Sequence, residues 1–159
     1  IDRSRGLGDV YKRQGLTFGS LTMTNEDELF DNSSYLPATE IVMGDSSGGY
    51  KIGLFYGALD NQGSAGFTDT LDSFRIPSSA FADGDYFTLA MYTNASGSLL
   101  TDSMITLYQD DAEIASAMGA DPIFEDLVLA SDSDIFVVVE NNDGTGLDGP
   151  GYYLSLIHI

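Results

Sequence analysis

Carboxylates dominate the side chains of this chain that could do chemistry. The sequence holds 25 acidic residues against 6 basic ones, which gives a formal net charge of −19. Clustered acids in irregular backbone suit Ca²⁺, which takes about six to eight oxygen ligands from carboxylates, amides and backbone carbonyls. A bound cation would also relieve the repulsion between them. Acidic stretches more often form a solvated surface, so composition alone selects no site.

The residue types that nucleophilic and zinc catalysis require are scarce. There is no cysteine, and the only histidine, His158, lies in the C-terminal tail that is interpreted below as non-native. A Ser-His-Asp triad, a Cys-His pair and an H-E-x-x-H zinc site are therefore not expected. A Ser-Lys mechanism would rest on Lys51, which we interpret as a solvated strand residue. Composition leaves an acid-pair glycosidase open, but no pair of carboxylates stands out. We expect a chain that is not itself an enzyme.

The charge and the hydropathy pattern also limit the kinds of partner that can be expected. A polyanionic chain repels the phosphates of DNA and RNA, so nucleic-acid binding is not expected. No apolar run approaches the roughly 18 residues of a membrane-spanning helix. Membrane insertion is therefore not expected either.

The elements that would position the acids are short strands. Runs of about four to eight β-branched and aromatic residues alternate with acidic or glycine-rich turns, which is typical of antiparallel strands. The best defined runs lie at 38–43, 50–59, 71–76, 86–92, 104–108, 124–129, 135–139 and 151–154. Residues 112–118 could form a short helix, but a hairpin fits better. This spacing predicts an all-β, antiparallel β-sandwich of jelly-roll or Greek-key type with nine or ten short strands.

Both ends of the chain differ in character from the rest. Residues 1–14 hold four of the six basic residues. This segment and S-L-I-H-I at 155–159 resemble translated sequencing-adapter read-through; the alternative for the first is a natural basic arm. We therefore predict a non-native segment at 1–14, a strand or upstream linker at 15–25, the sandwich at 26–154, and a non-native tail at 155–159. The natural segment would then be a fragment of a longer protein.

Several landmarks together resemble the bacterial pre-peptidase C-terminal domain family. In chain order they are an acidic segment at 28–38 with D-N-S at 31–33, D-T-L-D-S-F at 69–74, G-D-Y-F-T-L at 84–89, I-T-L-Y-Q-D-D-A-E-I-A at 105–115, a strand at 135–140, and G-Y-Y-L at 151–154. The chain departs from the family pattern at Ala112, where a turn glycine is usual, at the inverted pair Asp31-Asn32, and in a longer loop at 94–102.

The resemblance implies a non-catalytic accessory domain of a secreted or cell-surface bacterial protein, with the periplasm as an alternative location. Such a domain would aid export, stability or substrate attachment. Its partners would be neighbouring domains of a larger polypeptide and an extracellular protein or polysaccharide. The resemblance also implies structural Ca²⁺ as the one cofactor, held where the acidic segment meets the D-x-x-D loop. The implied ligands are Glu26, Glu28, Asp31, Asn32, Asp69 and Asp72.

Other interpretations of these residues remain. The implied ligands could be solvated loop acids, with Asp31 or Asn32 capping a turn. A second acidic stretch at 140–149 begins like an EF-hand loop but has Tyr152 where the bidentate Glu is required, so we interpret it as a hairpin loop. Asp132 and Asp134 are interpreted as a polar turn. The alternative function is a carbohydrate- or surface-binding jelly-roll module, with Tyr152-Tyr153 as an exposed pair; the absence of tryptophan speaks weakly against it.

Overall fold

The chain forms two β-sheets in the computed structural model. The structure describes residues 23–25, 38–46, 48–59, 71–93, 98, 100–130, 132–142 and 151–159. The strands are β1 (Met23–Asn25), β2 (Thr39–Glu40), β3 (Gly44–Asp45), β4 (Lys51–Leu59), β5 (Leu71–Ile76), β6 (Tyr86–Tyr92), β7 (Ser103–Gln109), β8 (Ala112–Gly119), β9 (Ile123–Val128), β10 (Ile135–Asn141) and β11 (Gly151–His158). One 3₁₀ turn, Ser78–Ala80, separates β5 from β6.

The strand order confirms the predicted all-β sandwich. A six-stranded sheet has the order β1-β4-β11-β6-β9, with β3 also paired to β4, and a five-stranded sheet has the order β2-β5-β10-β7-β8. Both sheets are mixed, because β1 runs parallel to β4 and β2 runs parallel to β5. All other strand pairs are antiparallel, as predicted, and the two parallel pairs lie at sheet edges. The described residues contain eleven strands rather than nine or ten, since the predicted turn after residue 43 includes β3.

The strand predicted at 38–43 is shorter than expected. Only Thr39 and Glu40 pair with β5. Ile41 still donates its backbone N–H to the Arg75 carbonyl at 2.8 Å, but the Val42 N–H turns to the Thr24 hydroxyl at 3.1 Å. The backbone therefore leaves the five-stranded sheet here and passes to the six-stranded one.

The hydrophobic core lies between the two sheets. On β10, Ile135, Val137 and Val139 point inward and are fully buried, as the period-two pattern of the sequence requires. Phe55 on β4 and Phe74 on β5 meet from opposite sheets, with ring centroids 4.3 Å apart. This apolar layer holds the two sheets against each other.

Residues 112–118 form the second strand of a hairpin, so the hairpin interpretation is confirmed. Asp110 and Asp111, the two residues between β7 and β8, have φ values of 53° and 60°. Two consecutive left-handed residues are typical of a type I′ turn, whose twist matches that of the flanking strands. Ala112 is already a strand residue, so this position needs no glycine.

Strand β11 lies at the centre of the six-stranded sheet and passes the boundary predicted at Leu154. It pairs with β4 on one side and with β6 on the other, in both cases through His158. Ser155 and Ile157 are fully buried, and Ile159 exchanges two backbone hydrogen bonds with Lys51 at 2.8 and 2.9 Å. The origin of residues 155–159 stays a prediction, because hydrogen bonding does not record how a sequence arose.

The part of the chain that the structure describes includes no helix with the length and hydrophobicity of a membrane span.

Candidate functional site

Asp72 is the one implied calcium ligand that lies within the described residues. Glu26, Glu28, Asp31, Asn32 and Asp69 lie outside them. Asp72 is the second residue of β5, and none of its surface is exposed. The alternative that Asp72 is a solvated loop acid is therefore wrong.

A hydrogen bond joins Asp72 to the other sheet. Its Oδ2 accepts a hydrogen bond from the hydroxyl of Tyr153 on β11. Both side chains point into the sandwich. Asp72 lies two residues before the inward-facing Phe74 and therefore on the same face, and Tyr153 alternates with the exposed Tyr152 and Leu154. A buried carboxyl group needs such a donor, since a buried polar group left without its hydrogen bond costs about 1–3 kcal/mol.

Gly57 on β4 leaves the space that this hydrogen bond occupies. It pairs directly with Tyr153, and a Cβ added at Gly57 would lie 2.8 Å from Asp72 Oδ2 and closer still to the Tyr153 hydroxyl. A side chain at position 57 would therefore displace one of the two partners. The Tyr153 ring also packs edge-on against Phe55 and Phe74, with centroids 6.3 Å away in each case, which fixes the direction of its hydroxyl.

The donor types at the implied calcium site suit a hard cation. The six residues comprise five carboxylates and one amide, all with oxygen ligands. Asp72 would bring one buried carboxylate, of which one oxygen already accepts the Tyr153 hydrogen bond. Within the described part of the chain, no group of three or more His, Cys, Asp and Glu side chains is close enough to hold a metal ion.

Arg75 and Asp134 form an ion pair that the sequence pattern does not predict. Arg75 Nη1 donates to Asp134 Oδ2 at 2.7 Å, and Arg75 Nη2 donates to Glu40 on the neighbouring strand β2. Asp134 Oδ1 accepts the backbone N–H of Ser78 at 2.8 Å. The pKa of Asp134 is lowered by the Ser78 hydrogen bond first and the Arg75 hydrogen bond second, and Asp134 in turn raises the pKa of Arg75. The turn at 132–134 is thus tied to β5 and is more than a polar turn.

One feature of the sequence weakly indicated an ion pair at Arg75. Arg75 is the only arginine after residue 14 in a strongly acidic chain, which made a carboxylate partner expected. The identity of that partner, 59 residues away, required the β5–β10 pairing. The other cation of residues 15–154, Lys51, forms an exposed ion pair with Asp45, which supports its interpretation as a solvated strand residue.

The second acidic stretch is described only at its start. Glu140 lies on β10, opposite Leu71 and Met104, and desolvation by burial raises its pKa. Residues 143–150 lie outside the described part of the chain, and with them most of the stretch that begins like an EF-hand loop.

An open groove of about 620 Å³ lies beside the end of β11. Its walls include Tyr50, Phe81, Tyr86, Asp126 and His158. The rings of Tyr50 and His158 stack at a tilt with centroids 4.4 Å apart. Burial lowers the pKa of His158, and the charge of Asp126 opposes that shift. The lining mixes these rings with Asp85, Asp126 and Lys51, and Lys51 is already paired with Asp45.

The two tyrosines at 152 and 153 face opposite ways. Tyr152 is 62% exposed, whereas Tyr153 is 3% exposed. The hypothesis of an exposed pair is therefore correct for Tyr152 and wrong for Tyr153. Strand alternation is the cause, because successive side chains point to opposite faces of a sheet.

The fold and these contacts define an all-β sandwich domain whose sheets are joined by a buried Asp–Tyr hydrogen bond. No protein-family profile and no curated protein matches the chain. Among solved structures, the chain is similar to the pre-peptidase C-terminal domain of a collagenase from Bacillus anthracis, with a TM-score of 0.41 and 9% sequence identity over 89% of this chain and 99% of that one.

The chain is also similar to part of a β-glucosidase from Paenibacillus barengoltzii. That likeness has a TM-score of 0.33 and 9% identity, and covers 90% of this chain but 13% of the glucosidase. At these TM-scores neither likeness carries an argument about function. The fold class rests on the two sheets themselves.

Proposed function

We propose that this chain is a non-catalytic accessory domain of the pre-peptidase C-terminal type, from a secreted or cell-surface bacterial protein. Its role is to aid the export, stability or substrate attachment of a larger polypeptide. Its partners are the neighbouring domains of that polypeptide and an extracellular polymer.

The Asp72–Tyr153 hydrogen bond is the observation that carries this proposal. Asp72 belongs to the D-x-x-D segment and Tyr153 to the G-Y-Y-L segment, two of the landmarks on which the family resemblance was drawn. They are 81 residues apart in sequence and make a buried contact between the sheets. A contact of this kind stabilises a fold and does not catalyse a reaction, because both groups are closed to a substrate.

We also propose that Ca²⁺ links the acidic segment to the start of β5. Glu26, Glu28, Asp31, Asn32, Asp69 and Asp72 would provide the oxygens. The ion would supply no chemistry beyond a cross-link, and it would offset part of the net charge of −19. Asp72 would take part in both interactions, as a ligand of the ion and as the acceptor of the inter-sheet hydrogen bond.

Thermal unfolding with and without calcium tests the site. Extracellular calcium modules bind at about 10⁻⁴–10⁻³ M, so about 10 mM Ca²⁺ should raise Tm by roughly 3–10 °C. The same concentration of Mg²⁺ controls for charge screening. Asp69→Asn should abolish the calcium response, whereas the Tyr153→Phe variant should lower Tm and keep the response. Equal shifts with both ions, or none, would contradict the calcium proposal.

Assays of turnover test the non-catalytic role. The purified chain at micromolar concentration should hydrolyse casein, gelatin and nitrophenyl glycosides no faster than buffer does. Turnover that a single carboxylate-to-amide replacement abolishes would instead support an acid-pair hydrolase.

A further inference from the structure

The outer face of the six-stranded sheet carries a row of tyrosines. Leu154 on β11 lies opposite Tyr56 on β4 and also opposite Tyr92 on β6. Tyr152 lies two residues before Leu154 and therefore on the same face. We call these four residues the tyrosine face. Tyr152 is 62% exposed, and Tyr56 and Leu154 are each 37% exposed.

A second, wholly apolar row runs beside the tyrosine face. Five strands contribute to it through direct cross-strand pairs. In spatial order its members are Met23, Leu54, Leu156, Ala90 and Ile123. The two end members, Met23 and Ile123, are 52% and 48% exposed. Leu156, at the centre of the row, is buried, so the row is exposed mainly at its two ends.

The three central strands place no charged residue on this outer face. The outward positions are 52, 54, 56 and 58 on β4, 152, 154, 156 and 158 on β11, and 86, 88, 90 and 92 on β6, and none is Asp, Glu, Lys or Arg. The outer face of the five-stranded sheet differs, because Arg75, Glu140 and Glu113 lie there. Three neighbouring strands without an outward charge, on a chain of net charge −19, are unusual for a surface in contact with water alone.

We propose that the tyrosine face binds an uncharged polysaccharide, whose pyranose rings stack on the tyrosines. Neighbouring strands lie about 4.8 Å apart, so Tyr56 and Tyr92, two strands apart, lie roughly 10 Å from each other. That distance is close to the length of two linked pyranose rings in an extended glycan. The rings of Tyr56 and Tyr92 would meet alternate sugars, with Leu154 under the sugar between them and Tyr152 beside them.

The net charge of the chain favours an uncharged glycan over other ligands that such a face could bind. An anionic polymer or an anionic lipid surface is repelled by the net charge of −19. A second copy would bring the same charge with it, which opposes self-association. A cationic partner would be drawn to the acidic side chains of the chain rather than to these three uncharged strands. Phenol rings suit sugars because the ring stacks on the C–H face while the hydroxyl stays hydrogen-bonded in water.

This proposal deepens the attachment role proposed above and rests on it, but it does not depend on calcium. A calcium-dependent rise in Tm together with no glycan binding would overturn this inference alone. Glycan binding without any calcium response would overturn the calcium site alone.

Retention on insoluble cellulose, chitin and xylan, with dissociation constants from depletion isotherms, tests the tyrosine face. We expect binding to at least one of them at 0.15 M NaCl and undiminished binding at 1 M NaCl, because no ion pairs are involved. Each of Tyr56→Ala, Tyr92→Ala and Tyr152→Ala should weaken it by about 2–12-fold, the range expected for one ring contact. Tyr108→Ala on the outer face of the other sheet is the matched control and should bind like the original chain.

Several outcomes would overturn the proposal. The first is that the chain binds none of the uncharged polysaccharides. The second is that the three tyrosine variants bind as well as the original chain, although circular dichroism shows that these variants are folded. The chain could instead bind gelatin, or dimerise with rising concentration in sedimentation experiments. If the same three variants abolished either behaviour, the face would be assigned to a protein partner.

Discussion

Asp72 and Tyr153 join the two sheets through a hydrogen bond in which the tyrosine hydroxyl donates to Asp72 Oδ2. The two residues lie on β5 and β11, and both are almost completely buried. The rest of the inter-sheet layer is mainly apolar and packs without direction. A directional bond inside it favours one alignment of the sheets over neighbouring ones, since any slide of one sheet past the other would break this bond.

Removal of the donor should destabilise the fold. Tyr153→Phe keeps the ring and its contacts with Phe55 and Phe74 but removes the hydroxyl from Asp72. We expect a loss of about 1–3 kcal/mol in the free energy of unfolding, measured by urea denaturation. Tyr152→Phe, at the exposed neighbouring position, is the control and should change it by less than about 0.5 kcal/mol. An equal effect of the two variants would contradict the structural role of Tyr153.

A methyl group at position 57 should compete with the same hydrogen bond. The added Cβ of Gly57→Ala would lie 2.8 Å from Asp72 Oδ2 and nearest of all to the Tyr153 hydroxyl. We expect a loss of roughly 1–3 kcal/mol through overpacking. In the Tyr153→Phe background the same change should cost less, because the nearest atom is gone. A double-mutant cycle measures this coupling, and strictly additive effects would show that the three groups do not share one space.

The Asp134–Arg75 pair should make stability fall in acid. The pKa of Asp134 is lowered in the folded state by the Ser78 and Arg75 hydrogen bonds, so its contribution is complete above the unfolded pKa of about 3.9 and is lost as pH falls through the folded value. Asp134→Asn should therefore lower Tm at pH 7, and the difference from the original chain should shrink steadily below about pH 4. A difference that stays constant down to pH 2 would argue against an ionic contribution. Asp132→Asn, at an exposed neighbouring position, is the control.

Glu140 should make stability fall as the pH rises, which is opposite to the effect of Asp134. Burial raises its pKa, so the folded state holds the proton more tightly than the unfolded state does. Stability is then complete below the unfolded pKa of about 4.3 and is lost as pH rises through the folded value. Glu140→Gln should raise Tm at pH 7 and have little effect near pH 3.5. A Tm at pH 7 that falls in the variant would show that the carboxylate makes a favourable ionic contact.

Truncation tests the domain boundary predicted at Leu154. In the structure, β11 continues to His158 between β4 and β6, and Leu156 and Ile157 are buried. Deletion of residues 155–159 should remove about 1.5–3 kcal/mol of burial for each of these two side chains, besides the lost strand pairing. We expect a chain that ends at 154 to unfold at markedly lower urea concentration. An unchanged unfolding midpoint would support the interpretation of 155–159 as a dispensable tail.

The sequence by itself was enough for the class of fold and for much of its local structure. The alternation around Val137 predicts a strand with one buried face, and the polar residues at 110–111 predict a tight turn, because both depend on neighbours within a few residues. The absence of cysteine likewise excludes a thiol nucleophile from this sequence without any coordinates.

Only the tertiary structure decided which distant residues meet. Alternation places Tyr152 and Leu154 on one face, but the neighbours Tyr56 and Tyr92 follow from the strand order and register of a six-stranded sheet. In the same way, Asp72 sits in a sequence segment typical of a calcium loop, while its burial against Tyr153 depends on how two sheets stack. Strand order is set by packing of the whole chain, and local propensity carries no information about it.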